Sequence, residues 1–120
     1  METMPVKFQK VESLAILVLA CAVYCHYGYS RSLFLLLILA PDIFFAGYLI
    51  NPKVGARVYN TGHVYAAPVV LLSLYYFAGV PLALPISMIW TAHIAFDRVL
   101  GFGLKYESGF KDTHLGKITQ

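Results

Sequence analysis

Four long apolar runs constrain this chain more than any other feature, and they lie at approximately Glu12 to Tyr29, Ser32 to Ile50, Val58 to Phe77 and Leu82 to Leu104. A helix needs about 20 mostly apolar residues to cross a hydrocarbon layer roughly 30 Å thick, because it rises 1.5 Å per residue. Each run is of that order. Hydrophobic residues make up 59% of the sequence and charged ones 12%, whereas a soluble domain carries about 25% charged residues. A soluble core in a chain of 120 residues has no room for so many Leu, Ile, Val, Phe and Tyr side chains, since a small domain leaves much of its surface in water. The excess therefore faces lipid, and the expected fold is all-α: an integral membrane four-helix bundle forming a single membrane domain over residues 1–120.

The connections are Gly28 to Arg31, the segment NPKVGAR, and a short Gly-Val-Pro turn. Such short links favour an antiparallel bundle. Lys7, Lys10, Lys53, Arg57, Arg98, Lys105, Lys111 and Lys117 fall on one side of the predicted spans and Arg31 alone on the other. The positive-inside rule then places both termini and the second loop in the cytoplasm, which in a bacterial cell means a multi-pass protein of the inner (cytoplasmic) membrane. The first run lacks a small-residue cleavage site and is expected to be a retained span. Residues 105–120, YESGFKDTHLGKITQ with its leading lysine, form a polar tail or lid over the cytoplasmic face.

Several function classes drop out. The net charge of +3 is spread over dispersed basic residues, so nucleic acid is not an expected partner. Cys21 and Cys25, the only cysteines, provide neither a disulfide framework nor a zinc ribbon. No P-loop, Gly-x-Gly-x-x-Gly, HExxH or Gly-x-Ser-x-Gly pattern occurs, and Ser73 and Ser87 have no neighbouring base. Glu12, at the edge of the first span, reads as a helix-capping residue.

What remains is a set of ionisable groups inside the spans, each costing about 2.5 to 3.5 kcal/mol at mid-depth for Asp, Lys or Arg, and so expected to face inward and pair. In the predicted orientation Asp42 lies near the midplane of the second span, His63 early in the third, and His93 near the middle of the fourth. Asp97 follows His93 by four residues and projects from the same helix face. Tyr59 and His63 repeat that spacing, and Asn60 neighbours His63. Imidazole nitrogen and carboxylate oxygen together suit zinc, manganese or iron(II). His63, His93 and Asp97 are the expected ligands, Asp42 a fourth ligand or general base, and His114 or Asp112 tail groups able to close the site. A divalent metal so held can activate water against an ester or phosphodiester.

Two other readings fit the same residues. The cluster can tie helices together in a non-catalytic structural or partner-binding protein, with Arg57 or Arg98 neutralising Asp42 or Asp97; such pairs are worth about 0.6 kcal/mol each in membranes. In the other, His63 and His93 ligate a haem iron from two helices. Pro41, Pro68 and Pro85 each remove a backbone donor and are expected to kink their spans beside this cluster. Beyond the lipid bilayer and a lipid-like substrate no partner is specified, and homo-oligomers are compatible with the pattern.

The pairs and groups Pro41-Asp42, Tyr59-Asn60-x-x-His63 and His93-Ile94-x-x-Asp97-Arg98, with the run Leu100 to Lys105 and Thr113-His114-Leu115-Gly116, resemble a family of small bacterial four-helix membrane proteins, domain of unknown function 4260. The likeness spans nearly the whole chain and implies a four-helix membrane fold without an assigned activity. A looser similarity, in a Pro-Asp pair, a lone His and a His-x-x-x-Asp in order, is to membrane-bound metal-dependent hydrolases of phospholipid-related substrates, whose His-Arg-x-x-Thr-His element is missing here. The combined expectation is a metal-dependent membrane hydrolase of a lipid-like substrate.

Overall fold

The computed structural model describes residues 3–106, 109–113 and 116–117. Six helical segments form four limbs. The first is α1, Met4–His26; the second joins α2, Arg31–Leu37, to a 3₁₀ segment, Ala40–Leu49; the third joins α3, Pro52–Gly62, to α4, Ala66–Ala78; the fourth is α5, Ala83–Leu100. Three stretches, Met4–His26, Arg31–Leu49 and Pro52–Ala78, are long and apolar enough to cross a membrane. At 23 residues, α1 is about 35 Å long, enough to span with some tilt.

Local chemistry sets the boundaries. Ser30 accepts a hydrogen bond from the Leu33 N–H at 3.2 Å and starts α2; Asn51 Oδ1 accepts from the Val54 N–H at 2.8 Å and starts α3, both as N-caps that satisfy an orphan donor. α5 ends at Gly101, which takes φ +97° while the Phe102 N–H returns to the Asp97 carbonyl at 2.8 Å, a left-handed cap of the kind glycine permits.

Three expectations change. α1 begins at Met4 with Thr3 as its N-cap residue, so Glu12 is an exposed mid-helix residue and caps nothing. Pro68 and Pro85 lie in the first turns of α4 and α5, where the missing N–H has no intrahelical role; they start helices instead of kinking them. The second and third limbs are interrupted at residues 38–39 and 63–65, next to Asp42 and at His63.

α5 is the centre of the packing. It carries buried Ala83, Leu84, Ser87, Ile89, Ala92, His93, Ile94 and Ala95 and packs against α1 and α4. Its small residues let neighbours approach, the usual device where lipid removes a hydrophobic force between helices. α1 turns Ser13, Ala20 and Tyr24 inward and leaves Phe8, Val11, Leu14, Val18 and Leu19 exposed. That outer stripe is the surface expected to meet acyl chains.

The 3₁₀ segment pairs instead with α3. A Cβ on Gly62 would overlap the Phe44 ring, one on Gly55 the Tyr48 ring, and one on Gly47 would lie 2.8 Å from Val58 Cβ. The opposite face of α3 exposes Lys53, Arg57 and Thr61 at helical spacing, a polar stripe unlike that of α1. The tail forms short strands β1, Lys105–Tyr106, β2, Gly109–Thr113, and β3, Gly116–Lys117, in one antiparallel sheet, with β1 and β2 packed on α3. The tail thus lies against α3 and leaves that stripe exposed.

Candidate metal centre

The two interruptions free the backbone where the ionisable side chains meet. The His93 Nδ1–H donates to the Ile38 carbonyl in the break of the second limb, and the His63 Nδ1–H donates to the Tyr59 carbonyl at 2.9 Å. A carbonyl only accepts, so both rings carry a proton on Nδ1; a neutral ring then presents its Nε2 lone pair to a cation, and a protonated ring donates from Nε2 to the carboxylates. The His63 ring is held further by stacking on Tyr59, centroids 3.9 Å apart and planes within 9°. Both histidines are buried.

The two Nε2 atoms lie 3.2 Å apart. His93 Nε2 is 3.1 Å from Asp42 Oδ1 and 3.2 Å from Asp97 Oδ2; His63 Nε2 is 3.4 Å and 3.6 Å from the same atoms. All four ligand atoms fall within 4.8 Å of one another. Two carboxylates at such a separation repel by about 3 kcal/mol at an effective dielectric of about 20, and two imidazole lone pairs face the same point. With both rings neutral the four atoms are all electron-pair donors, and about two positive charges balance the two carboxylates. A tetrahedral ion with bonds of about 2.0 to 2.1 Å has ligand-to-ligand edges of about 3.3 Å, inside the range of 3.1 to 3.6 Å spanned by the pairs that include a histidine. The donor set therefore fits a divalent cation.

Asp42, His63, His93 and Asp97, singled out from depth and spacing, are brought together. Tyr59 supports His63, and the Asn60 carbonyl accepts the His63 backbone N–H at 3.1 Å. Arg98 does not pair with Asp42 or Asp97: its Nη2 donates to the His63 carbonyl at 3.2 Å and its guanidinium lies 4.8 Å above the Tyr65 ring. Asp112 belongs to β2, and His114 lies outside the described residues. The haem reading does not fit, because axial ligands must sit on opposite sides of an iron with the macrocycle between them, and nitrogens 3.2 Å apart leave no space.

Sequence reasoning missed Trp90, whose Nε1–H donates to the Gly62 carbonyl at 2.7 Å. It pins the end of α3 to α5 and so sets the distance between the two histidines. Its place one turn before His93 was the available signal.

Residues 6–118 match the family model described as "Domain of unknown function (DUF4260)". The chain belongs to the DUF4260 family. No curated protein and no solved structure matches it. For this DUF4260 protein the chemistry must therefore be argued from the His/Asp centre itself.

Proposed function

We propose that the protein is a metal-dependent hydrolase of a lipid-like ester, embedded in the bacterial cytoplasmic membrane with both termini and the reaction centre on the cytoplasmic side. The observation that carries the reading is the convergence of four lone-pair donors from three limbs, each histidine already committed through Nδ1 to a carbonyl. A metal-ligating imidazole usually donates its other ring N–H to a carbonyl or carboxylate in this way.

His63, His93 and Asp97 would hold zinc, manganese or iron(II), which when bound would supply Lewis-acid activation of water near neutral pH. Asp42 is the more open carboxylate, at 37% side-chain exposure against 19% for Asp97, and acts as general base. Water oxygen adds to the ester carbon, the bond from that carbon to the alcohol oxygen breaks, and Asp42 passes the water proton to the leaving oxygen. The products are an acid and an alcohol.

A second reading is favoured by the same short distances: the cluster ties helices together in a non-catalytic membrane component. Metal analysis of detergent-purified protein separates the two. The hydrolase reading expects about one metal ion per chain, lost in His93→Ala, with Asp42→Asn keeping metal yet losing ester hydrolysis. Protein that stays metal-free after incubation with zinc, manganese or iron(II), and whose variants change only in thermal stability, would establish the structural role instead.

A further inference from the structure

Next to the centre an apolar groove of about 230 Å³ lies between the second limb and α5, lined by Leu37, Ala40, Pro41, Phe44, Ile89 and Trp90 among others. An apolar cavity of about 150 Å³ already accepts a benzene-sized guest, so this one takes a stretch of hydrocarbon chain. Ile43, also on its wall, is exposed, so one rim of the groove is an apolar side chain open to the surroundings.

On the other side of the centre stands Arg98. It is partly buried, and its contacts are the His63 carbonyl and the Tyr65 ring. The carboxylate next to it in sequence, Asp97, is directed at the two histidines instead. Among the described residues Arg98 has no carboxylate partner, although a guanidinium has five donors and a buried cation without a counter-charge is costly.

The three features follow one another along α5: groove wall at Ile86, Ile89 and Trp90, ligands at His93 and Asp97, guanidinium at Arg98. From Trp90 to Arg98 the backbone of α5 rises about 12 Å, while the tips of the two side chains reach the consecutive carbonyls of Gly62 and His63. An inner-leaflet phospholipid presents acyl chain, acyl ester and phosphate in that same order toward the cytoplasm. We infer that the centre is the middle of a seat for an anionic glycerophospholipid, with an acyl chain in the groove and the phosphate on Arg98.

This places the acyl ester, and not the phosphodiester, beside Asp42, His63, His93 and Asp97. Hydrolysis there adds water oxygen to the acyl carbon, breaks its bond to the glycerol oxygen and transfers one water proton to that oxygen, releasing a fatty acid and a lysophospholipid. The reaction rests on the hydrolase reading; the lipid seat does not, since it is built from the groove and Arg98.

Trp90 is the single tryptophan and lines the groove, so its fluorescence reports the occupant. The full chain is reconstituted in phosphatidylcholine vesicles holding a minor fraction of phosphatidylglycerol with brominated acyl chains, or of brominated diacylglycerol as the uncharged control, and the metal content of the same sample is measured. Quenching beyond that set by bulk lipid is expected for phosphatidylglycerol alone, equivalent to about a fivefold local enrichment for one charge contact. The excess should disappear in Arg98→Gln and persist in Arg98→Lys. Quenching at the bulk level in the wild type, or equal excess for both brominated lipids, would overturn the seat whatever the metal content. Excess quenching confined to phosphatidylglycerol in a protein that takes up no metal would uphold the seat and remove only the hydrolase reading.

Discussion

The α1–α4–α5 side and the side made by α2, the 3₁₀ segment and α3 solve the same problem differently. Within the first, α1 and α5 are uninterrupted, and α1 and α4 carry outward stripes of large apolar side chains such as Val18 and Phe77. On the second, both limbs break, the 3₁₀ segment runs ten residues where such runs seldom exceed three or four, and glycines replace side chains at the contact. In membranes, irregular backbone survives only where protein or a cavity receives its polar groups. Here the histidines and Arg98 satisfy them: the carbonyl oxygens of Ile38 and Tyr59 accept from the Nδ1–H groups of His93 and His63, and that of His63 accepts from the Arg98 guanidinium. The smooth side is a wall, and the broken side is where the chain has given up regularity to position ligands.

That contrast can be attacked at graded strength. His93→Ala removes a ligand and the bond that satisfies Ile38, and metal affinity measured by competition with a chelator should fall by more than the roughly 100-fold upper range seen for supporting residues. A smaller change would mean that the break serves packing. Gly62→Ala leaves every ligand in place but forces a Cβ into the Phe44 ring; a loss of about 1 to 3 kcal/mol in thermal unfolding is expected, with metal binding weakened because His63 is next in sequence. Tyr59→Leu deletes the ring stacked on His63 while keeping the carbonyl that orients it. Metal affinity should drop by about 10-fold, and an unchanged affinity would show that the carbonyl alone fixes the ring. At the other end, Val18→Ala on the outer stripe of α1 should change stability by no more than about 0.5 kcal/mol.

The sequence made some of this readable and hid the rest for physical reasons. Length and apolarity alone located four limbs, and depth arithmetic put Asp42, His63, His93 and Asp97 in one layer because a helix converts residue number into distance. The same averaging over about 20 residues concealed the breaks: hydropathy is as high in a 3₁₀ segment as in an α-helix, so Pro41 and Gly62-His63 looked like details of continuous spans. The pairing of Gly47, Gly55 and Gly62 with bulky partners escaped notice because glycine adds nothing to an apolar pattern, although it decides how closely backbones approach. Arg98 was expected beside a carboxylate from charge alone; once both aspartates face the histidines, the guanidinium has only a carbonyl and a ring to meet.

The central claim is that His63, His93 and Asp97 hold a divalent ion beside Asp42. X-ray absorption at the metal edge of zinc-incubated, detergent-purified protein tests it most directly. The account predicts stoichiometric zinc in a mixed shell of nitrogen and oxygen at about 2.0 to 2.2 Å, with the outer scattering of two imidazoles. Zinc that washes away, or a shell of oxygen or sulfur without imidazole scattering, would contradict it.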